Sequence, residues 1–144
     1  MLLAQTEKDL IGSWQITNHV ASGYNDAYTF NEDGKFTFNY NQMDCSKREV
    51  SYGGYWELKG KQIILTVNFI EKYFGGKLEP STGSCASDSE LVGGFIVKDP
   101  VIPGETKILN ISDWRIDTEE GMERTMILFN NMRYWHFSKF DYGK

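Results

Sequence analysis

The two histidines of this 144-residue chain are its first candidates for chemistry, and their surroundings limit what they could do. Neither His19 nor His136 stands with a serine or cysteine nucleophile, or with other ligands at the spacing that a metal site requires. If Trp14, Trp135 and Phe137 face the interior of a sheet, strict alternation directs both histidines outward. The sequence therefore predicts no catalytic residue, no metal site and no cofactor, and it argues against an enzyme.

Cys45 and Cys85 offer a second kind of chemistry, because two cysteines either form one disulfide bond or remain inert thiols. Both lie among the aspartate, glycine and serine residues typical of exposed loops, whereas unpaired cysteines are usually buried. We therefore expect a disulfide bond and a protein that is secreted or periplasmic. Residues 1–5 fit either the remnant of a secretory signal or an ordinary chain start.

Length and composition indicate one globular domain. The chain is 40% hydrophobic, 15% aromatic and 24% charged, and its acidic and basic residues are interspersed at a net charge of −5. Nucleic acid and anionic membranes attract a basic stripe, which this sequence lacks. Its apolar runs fall short of the roughly 20 residues that span a bilayer. We expect a segment, 1–9, with a helical turn and one domain, 10–144, without a nucleic-acid partner or a membrane span.

Alternation of apolar and polar residues dominates the chain after a helical turn at 6–11, for which Thr6 supplies an N-cap. Runs such as Phe36–Tyr40 and Ile63–Phe69 have the period of two that half-buried strands show. Between two such runs, Asp33-Gly34 is typical of a tight hairpin. The predicted strands are 13–20, 26–31, 35–41, 50–58, 61–70, 90–98, 105–116, 122–129 and 132–140.

Consecutive hairpins make an up-and-down meander, which hides its edges by closing into a barrel; a two-sheet sandwich is the alternative. Gly12 before Trp14 favours the barrel, because one large ring at the start of the first strand can plug a closed end. Nine strands close poorly, so one segment is not a strand, a further strand lies in 71–89, or the first and last strands pair in parallel. The predicted fold is an all-β, up-and-down antiparallel barrel of about eight to ten strands.

Counting strands from the first to the fifth places the tight turns at the same end as Trp14. The longer connections, among them 42–49 and 71–89, then lie at the opposite end, as an open mouth requires. Cys45 and Cys85 fall in these two connections. A disulfide bond between them would tie the mouth together.

An apolar wall inside the barrel is the predicted binding site for a small hydrophobic molecule. Gly54, Gly93 and Gly94 remove side chains from this wall, which favours a cavity over a solidly packed core. The predicted ligand-binding residues are Asn18, Phe36, Phe38, Tyr40, Trp56, Leu65, Val67, Phe69, Leu91 and Phe95.

Three segments, Leu10–Trp14, Tyr28–Phe36 and Gly54–Thr66, carry a Gly-x-Trp, a Tyr-x-Phe hairpin and a second Gly-x-Trp hairpin in this order. Together they resemble the bacterial lipocalin-like domains of the calycin group. The resemblance covers the first half of the chain and implies a lipocalin-like barrel.

The same resemblance implies that a late arginine packs over the ring of the first tryptophan. Arg133 is the preferred candidate, because it follows a turn directly, and Arg124 is the other. Gly12, Trp14 and Arg133 are therefore expected to build the closed base.

Three classes of function compete. A non-enzymatic carrier or sensor of a small hydrophobic molecule comes first, and a protein-interaction or envelope module with a packed core is the alternative. An enzyme comes last, because the sequence provides no inward acid–base groups.

Overall fold

Eight antiparallel strands close into a barrel in the computed structural model, counted over residues 6–18, 25–83, 85–119 and 121–138, which it describes. Each strand pairs with its neighbours in chain order, and the last strand returns to pair with the first. The elements are α1 (Glu7–Leu10), β1 (Gly12–Gln15), β2 (Ala27–Phe30), β3 (Lys35–Asn39), β4 (Glu49–Lys59), β5 (Gln62–Pro80), β6 (Ser89–Glu119), β7 (Met122–Phe129) and β8 (Met132–Phe137). The prediction of an all-β, up-and-down antiparallel barrel is confirmed.

The predicted helical turn is the short helix α1, which closes one end of the barrel. The Thr6 N–H donates to the Asp9 carboxylate at 3.1 Å, and the Thr6 carbonyl accepts the Asp9 N–H at 3.0 Å. These two bonds satisfy free groups of the first turn. Leu10 is fully buried, and its carbonyl accepts a hydrogen bond from Nε1 of Trp14 at 3.0 Å. The helix therefore holds the tryptophan ring in the base.

The prediction of nine strands was wrong, because 90–98 and 105–116 belong to the single strand β6. Pro100 and Pro103 lie between the two predicted segments. In the part of the chain that the structure describes, β6 pairs with β5 up to Asn110, except at 101–104, and with β7 only from Ile111 onward. Around both prolines β6 has no second neighbouring strand among these residues, and proline is tolerated at such an edge, so the strand continues through both.

Strands β5 and β6 continue past the rim of the barrel as a paired hairpin, which we call the arm and define as residues 71–80 and 89–99. The predicted loop at 71–89 was therefore wrong, since the pairing runs as far as Pro80 opposite Ser89. Gly75 and Gly93 have φ angles of +72° and +82°, which glycine adopts without strain. The glycines that made these segments look like a loop therefore lie in a paired two-stranded ribbon.

A β-bulge in β5 changes which residues face the interior. The pairing with β4 passes over Asn68, so that Val67 and Phe69 both find partners while the residue between them has none. Beyond the bulge, Phe69 packs over Gly53, where an added Cβ would lie 2.6 Å from its ring, and Ile70 packs on the core. Phe69 therefore lies on the outer face, and the prediction that it faces the interior was wrong.

Aromatic rings fill the barrel above the base. The ring of Tyr28 shows the density of this packing: its neighbours are Phe30, Phe38, Phe129 and Tyr134, at centroid distances of 6.0, 4.6, 5.8 and 5.5 Å. The Tyr28 ring is stacked with Phe30 and tilted or edge-on to the other three, and aromatic pairs favour both offset-stacked and edge-on arrangements. The lower interior is consequently a packed core.

Strand β8 alternates in the opposite sense from the predicted one. Tyr134 belongs to the interior core, whereas Trp135 and Phe137 are fully buried in a separate cluster. His136 therefore faces the interior, and the expectation that it points outward was wrong. The other histidine, His19, lies outside the described residues.

Candidate ligand site at the mouth of the barrel

A cavity of about 470 Å³ lies at the end of the barrel opposite the base, between the β3–β4 loop (40–48) and the arm. Its apolar lining comes from both sides and consists of Tyr40, Val50, Tyr73, Leu91 and Ile96. Its polar lining consists of Asn41, Gln42, Asp44, Lys47, Glu49 and Glu90. An apolar molecule with polar ends matches such a lining.

A disulfide bond between Cys45 and Cys85 joins the β3–β4 loop to the tip of the arm, with the Cα atoms 5.8 Å apart. The predicted pairing is confirmed. Two backbone hydrogen bonds support it: the Leu91 N–H donates to the Cys45 carbonyl at 2.8 Å, and the Ala86 N–H donates to the Met43 carbonyl at 2.9 Å. The two walls of the cavity are thus held against each other.

Arg48 fastens the loop to the arm at a second point. Its guanidinium donates to the carbonyls of Tyr73 at 3.2 Å and Gly75 at 2.9 Å. In return, the Tyr73 N–H donates to the Arg48 carbonyl at 2.8 Å. The loop therefore contacts the arm both near its root and near its tip.

Four tyrosines lie where the packed core meets the mouth. Burial raises the pKa of Tyr28 and Tyr134 well above the usual range, and it raises the pKa of Tyr52 to about 12. Burial and a hydrogen bond to Glu49 raise the pKa of Tyr40 to about 12. All four phenols are neutral at physiological pH. They present hydroxyl groups to the mouth without adding charge.

On the side formed by β7 and β8, the wall of the barrel ends closer to the base than it does at β5 and β6. The β7–β8 turn begins at Asn130, whose N–H donates to the Asn110 carbonyl at 2.9 Å, while β5 and β6 rise far above this level. Lys107, which lies opposite the core residue Leu65, therefore remains 44% exposed. Its ammonium lies 5.1 Å from the centre of the Tyr52 ring. The upper interior thus opens to solvent beside the tyrosines.

Nine of the ten predicted ligand-binding residues separate into three groups, and the tenth, Asn18, is described below. Tyr40 and Leu91 line the mouth cavity. The buried core contains Phe36, Phe38, Trp56, Leu65 and Val67. Away from the interior lie Phe69, on the outer face, and Phe95, which is 62% exposed on the arm. Phe95 was expected to face the interior. This was wrong, because Phe95 lies on the arm, which extends past the rim of the barrel.

Asn18 is buried, and protein groups bind one end of its side-chain amide. Its amide nitrogen donates to the carbonyls of Glu119 and Met122, which flank the β6–β7 turn. The nitrogen therefore holds this turn in place. The amide oxygen is buried and has no hydrogen-bond partner among the described residues, and its contact with a ligand stays a prediction.

The base is closed by Trp14 and His136. The Trp14 side chain is fully buried, and the imidazole of His136 lies 4.6 Å from it and forms a 2.8 Å hydrogen bond with the Ile11 carbonyl. Arg133 instead lies 5.8 Å from the ring of Trp135 in the separate cluster. The expected contact between Arg133 and Trp14 was wrong, because the true alternation of β8 places the arginine on the other face.

Gly12 completes the base, since its φ of +122° and its neighbours leave no room for a side chain. A Cβ there would lie 2.7 Å from Nε2 of His136 and 2.8 Å from the Phe137 carbonyl oxygen. Arg124, the other candidate for the base, lies 3.9 Å from the Phe137 ring.

Within the described residues, no group of three or more histidine, cysteine, aspartate or glutamate side chains could hold a metal ion. Cys45 and Cys85 are joined to each other and are not free nucleophiles. Likewise, no helix in the described part of the chain is long and apolar enough to cross a membrane.

Sequence reasoning found Tyr40 but missed the other tyrosines that surround the mouth. Tyr52 shares the inward side of β4 with Trp56, and Tyr28 shares that of β2 with Phe30, so alternation alone could have found both. Tyr134 required the correct facing of β8, which the second cluster obscured. Tyr73 lies on the arm, in a segment predicted to be a loop.

Comparison with known proteins gives one family. The model of the lipocalin-like domain matches residues 10–92. No curated protein and no solved structure matches the chain. The matched region contains β1 to β5 and both cysteines, and it therefore includes the β3–β4 loop and part of the arm.

Proposed function

We propose that this chain, which belongs to the lipocalin-like domain family, binds a small hydrophobic molecule reversibly and without catalysis, as a carrier or sensor. The observation that carries the proposal is the cavity of about 470 Å³ between the β3–β4 loop and the arm. Small-molecule pockets in proteins span about 300–1,000 Å³ and combine an apolar lining with a few polar groups. The mouth cavity has this size, and its lining combines apolar side chains from both walls with polar and charged ones.

The packed core favours binding at the mouth over binding deep in the barrel. A ligand that entered further would have to displace the tightly packed rings around Tyr28. At the mouth, Val50 and Leu91 offer apolar contact from opposite walls. The neutral hydroxyl of Tyr40 can hydrogen-bond a polar atom of the ligand. A flat or short-chain apolar molecule with one polar end fits these features best.

The disulfide bond supports a site of action outside the cytoplasm, because thiols are kept reduced in most cytoplasms. An extracytoplasmic carrier needs no energy source and no catalytic group. Binding and release then depend on the affinity of the mouth alone.

Titration with the neutral fluorescent dye N-phenyl-1-naphthylamine tests the proposal. We expect saturable one-to-one binding with enhanced emission, and competition by an apolar non-fluorescent molecule. Leu91→Gln should weaken binding about tenfold, because it places a polar amide in the apolar wall.

Leu78→Gln is the matched control, since Leu78 pairs with Leu91 across the arm but is 57% exposed and does not line the cavity. It should bind the dye like the parent protein. Equal weakening by both substitutions would refute the mouth as the site. Absence of saturable binding to the parent would instead favour a protein-interaction module.

A further inference from the structure

A second groove, of about 590 Å³, crosses the outer face of the sheet. It runs from Lys35 on β3, past Tyr55 on β4 and Asn68 on β5, to Lys98 on β6. Neighbouring strands lie about 4.8 Å apart, so a groove that crosses four strands is about 14 Å wide. It shares no lining residue with the mouth cavity. The groove is therefore a separate feature on the outside of the barrel.

The bulge in β5 builds this groove. Because Asn68 is the extra residue, Phe69 turns to the outer face and covers Gly53. The ammonium of Lys98 then lies 4.1 Å from the centre of the Phe69 ring. Tyr55 lies on the same face as Gly53 and is 53% exposed. Two aromatic rings thus form the apolar part of the groove.

Four polar side chains of the groove have no ion pair or hydrogen-bond partner in the part of the chain that is described. Lys35 and Lys98 form no ion pair there, unlike Lys72, which lies 3.4 Å from Asp99. The Tyr55 hydroxyl and the Asn68 side-chain amide likewise have no hydrogen-bond partner among these residues. The Asp33 carboxylate also lines the groove, but it accepts the backbone N–H of Lys35 at 3.0 Å. An acidic chain of net charge −5 therefore presents two ammonium groups without ion pairs, and free hydrogen-bond donors, beside one carboxylate.

We propose that this groove binds a short acidic oligosaccharide. The ammonium groups and free donors call for carboxylate and hydroxyl oxygens on the ligand. The exposed face of Tyr55 offers a surface on which the apolar face of a sugar ring can stack. An open groove with an aromatic ring and mixed polar groups suits a carbohydrate better than an apolar molecule, which needs an enclosed pocket. Its width of about 14 Å, which is three strand spacings, leaves room for a short oligosaccharide.

Binding of trigalacturonate, followed by resonance shifts in the ¹⁵N-labelled protein, tests this proposal against neutral maltotriose. We expect trigalacturonate to saturate one site, with shifts concentrated around Tyr55 and Asn68, and to bind more weakly as salt is raised. Lys98→Gln should weaken binding about fivefold, through loss of one exposed charge contact. Tyr55→Ala should weaken it about tenfold, through loss of the stacking surface.

Lys77→Gln is the matched control, because Lys77 lies on the arm outside the groove. It should leave trigalacturonate binding unchanged, and all three variants should keep the resonance dispersion of a folded protein. Equal weakening by Lys77→Gln would show diffuse charge attraction and overturn the proposal. So would absence of saturable binding, equal affinity for maltotriose, or tighter binding of triglutamate, which would assign the groove to an acidic peptide.

Discussion

At the closed end of the barrel, one tryptophan connects segments that lie far apart in the chain. The ring of Trp14 lies 5.8 Å from that of Trp114 and 5.9 Å from that of Phe129. Its indole N–H donates to the Leu10 carbonyl, and the His136 imidazole covers another side. Helix α1 and strands β1, β6, β7 and β8 therefore meet at this ring, which the sequence identified from a Gly-x-Trp at the head of the first strand.

Replacing Trp14 by alanine should lower the free energy of unfolding by about 3–5 kcal/mol, the usual cost of deleting a large buried ring. Urea denaturation followed by far-UV circular dichroism measures this loss. Trp14→Phe is the matched comparison, because it keeps an aromatic ring but removes the bond to Leu10, and its loss should be smaller. A loss below about 1 kcal/mol for the alanine variant would contradict a structural role for the ring.

At the scale of elements, the β3–β4 loop and the arm act as one unit because a covalent bond joins them. Cys45 and Cys85 are 40 residues apart in sequence, and the bond brings the tip of the arm onto the loop. Arg48 adds contacts nearer the root of the arm. Removing the disulfide bond would leave the Arg48 contacts and the backbone hydrogen bonds between loop and arm to hold the cavity together.

The double variant Cys45→Ser/Cys85→Ser should weaken dye binding about fivefold, because the walls of the mouth cavity are no longer preorganised. Its free energy of unfolding should fall by about 2–4 kcal/mol, as for loss of a native disulfide bond. Fluorescence titration and urea denaturation measure the two effects. A reducing agent should weaken dye binding to the parent protein and leave the variant unchanged. Unaltered dye affinity in the folded variant would show that the bond does not shape the site.

Local hairpins could be predicted from sequence because their signals are local. Asp33-Gly34 between two alternating runs specifies the β2–β3 hairpin, and the structure has it. The arm could not be found in this way, since residues such as Gly75 and Gly93 are typical of loops. Their pairing depends on a partner strand far along the chain.

The prediction of which side chains face the interior failed at the two places where alternation is broken or inverted. One extra residue, Asn68, reverses the facing of every later position in β5, and nothing in its type marks it as a bulge. In β8, apolar residues occupy both faces, because a second cluster lies outside the core. Periodicity therefore does not distinguish Trp135 from Tyr134. Because of these errors, Phe69 was wrongly included in the predicted site and His136 was left out of the predicted base.

At the scale of the whole molecule, the barrel keeps three phenol groups buried and protonated. Tyr28, Tyr52 and Tyr134 come from β2, β4 and β8, so the group spans the barrel. The Tyr28 hydroxyl donates a hydrogen bond to Tyr52, and burial makes ionisation of all three unfavourable. Ionisation of any one would place a negative charge beside the packed rings. The stability of the fold is thus linked to the protonation of these tyrosines.

The free energy of unfolding should therefore fall as the pH rises above about 10, the pKa of tyrosine in an unfolded chain. Above that pH the unfolded chain loses protons that the native state retains, so the unfolded state gains stability. Below about pH 10 the free energy of unfolding does not change through these groups. For Tyr52, the decrease ends near its native pKa of about 12. Each tyrosine contributes at most about 1.4 kcal/mol per pH unit, and less where solvent screens it. Urea denaturation between about pH 9 and pH 11 measures the slope, and Tyr52→Phe should make it shallower. An identical slope in parent and variant would show that Tyr52 does not contribute to this linkage.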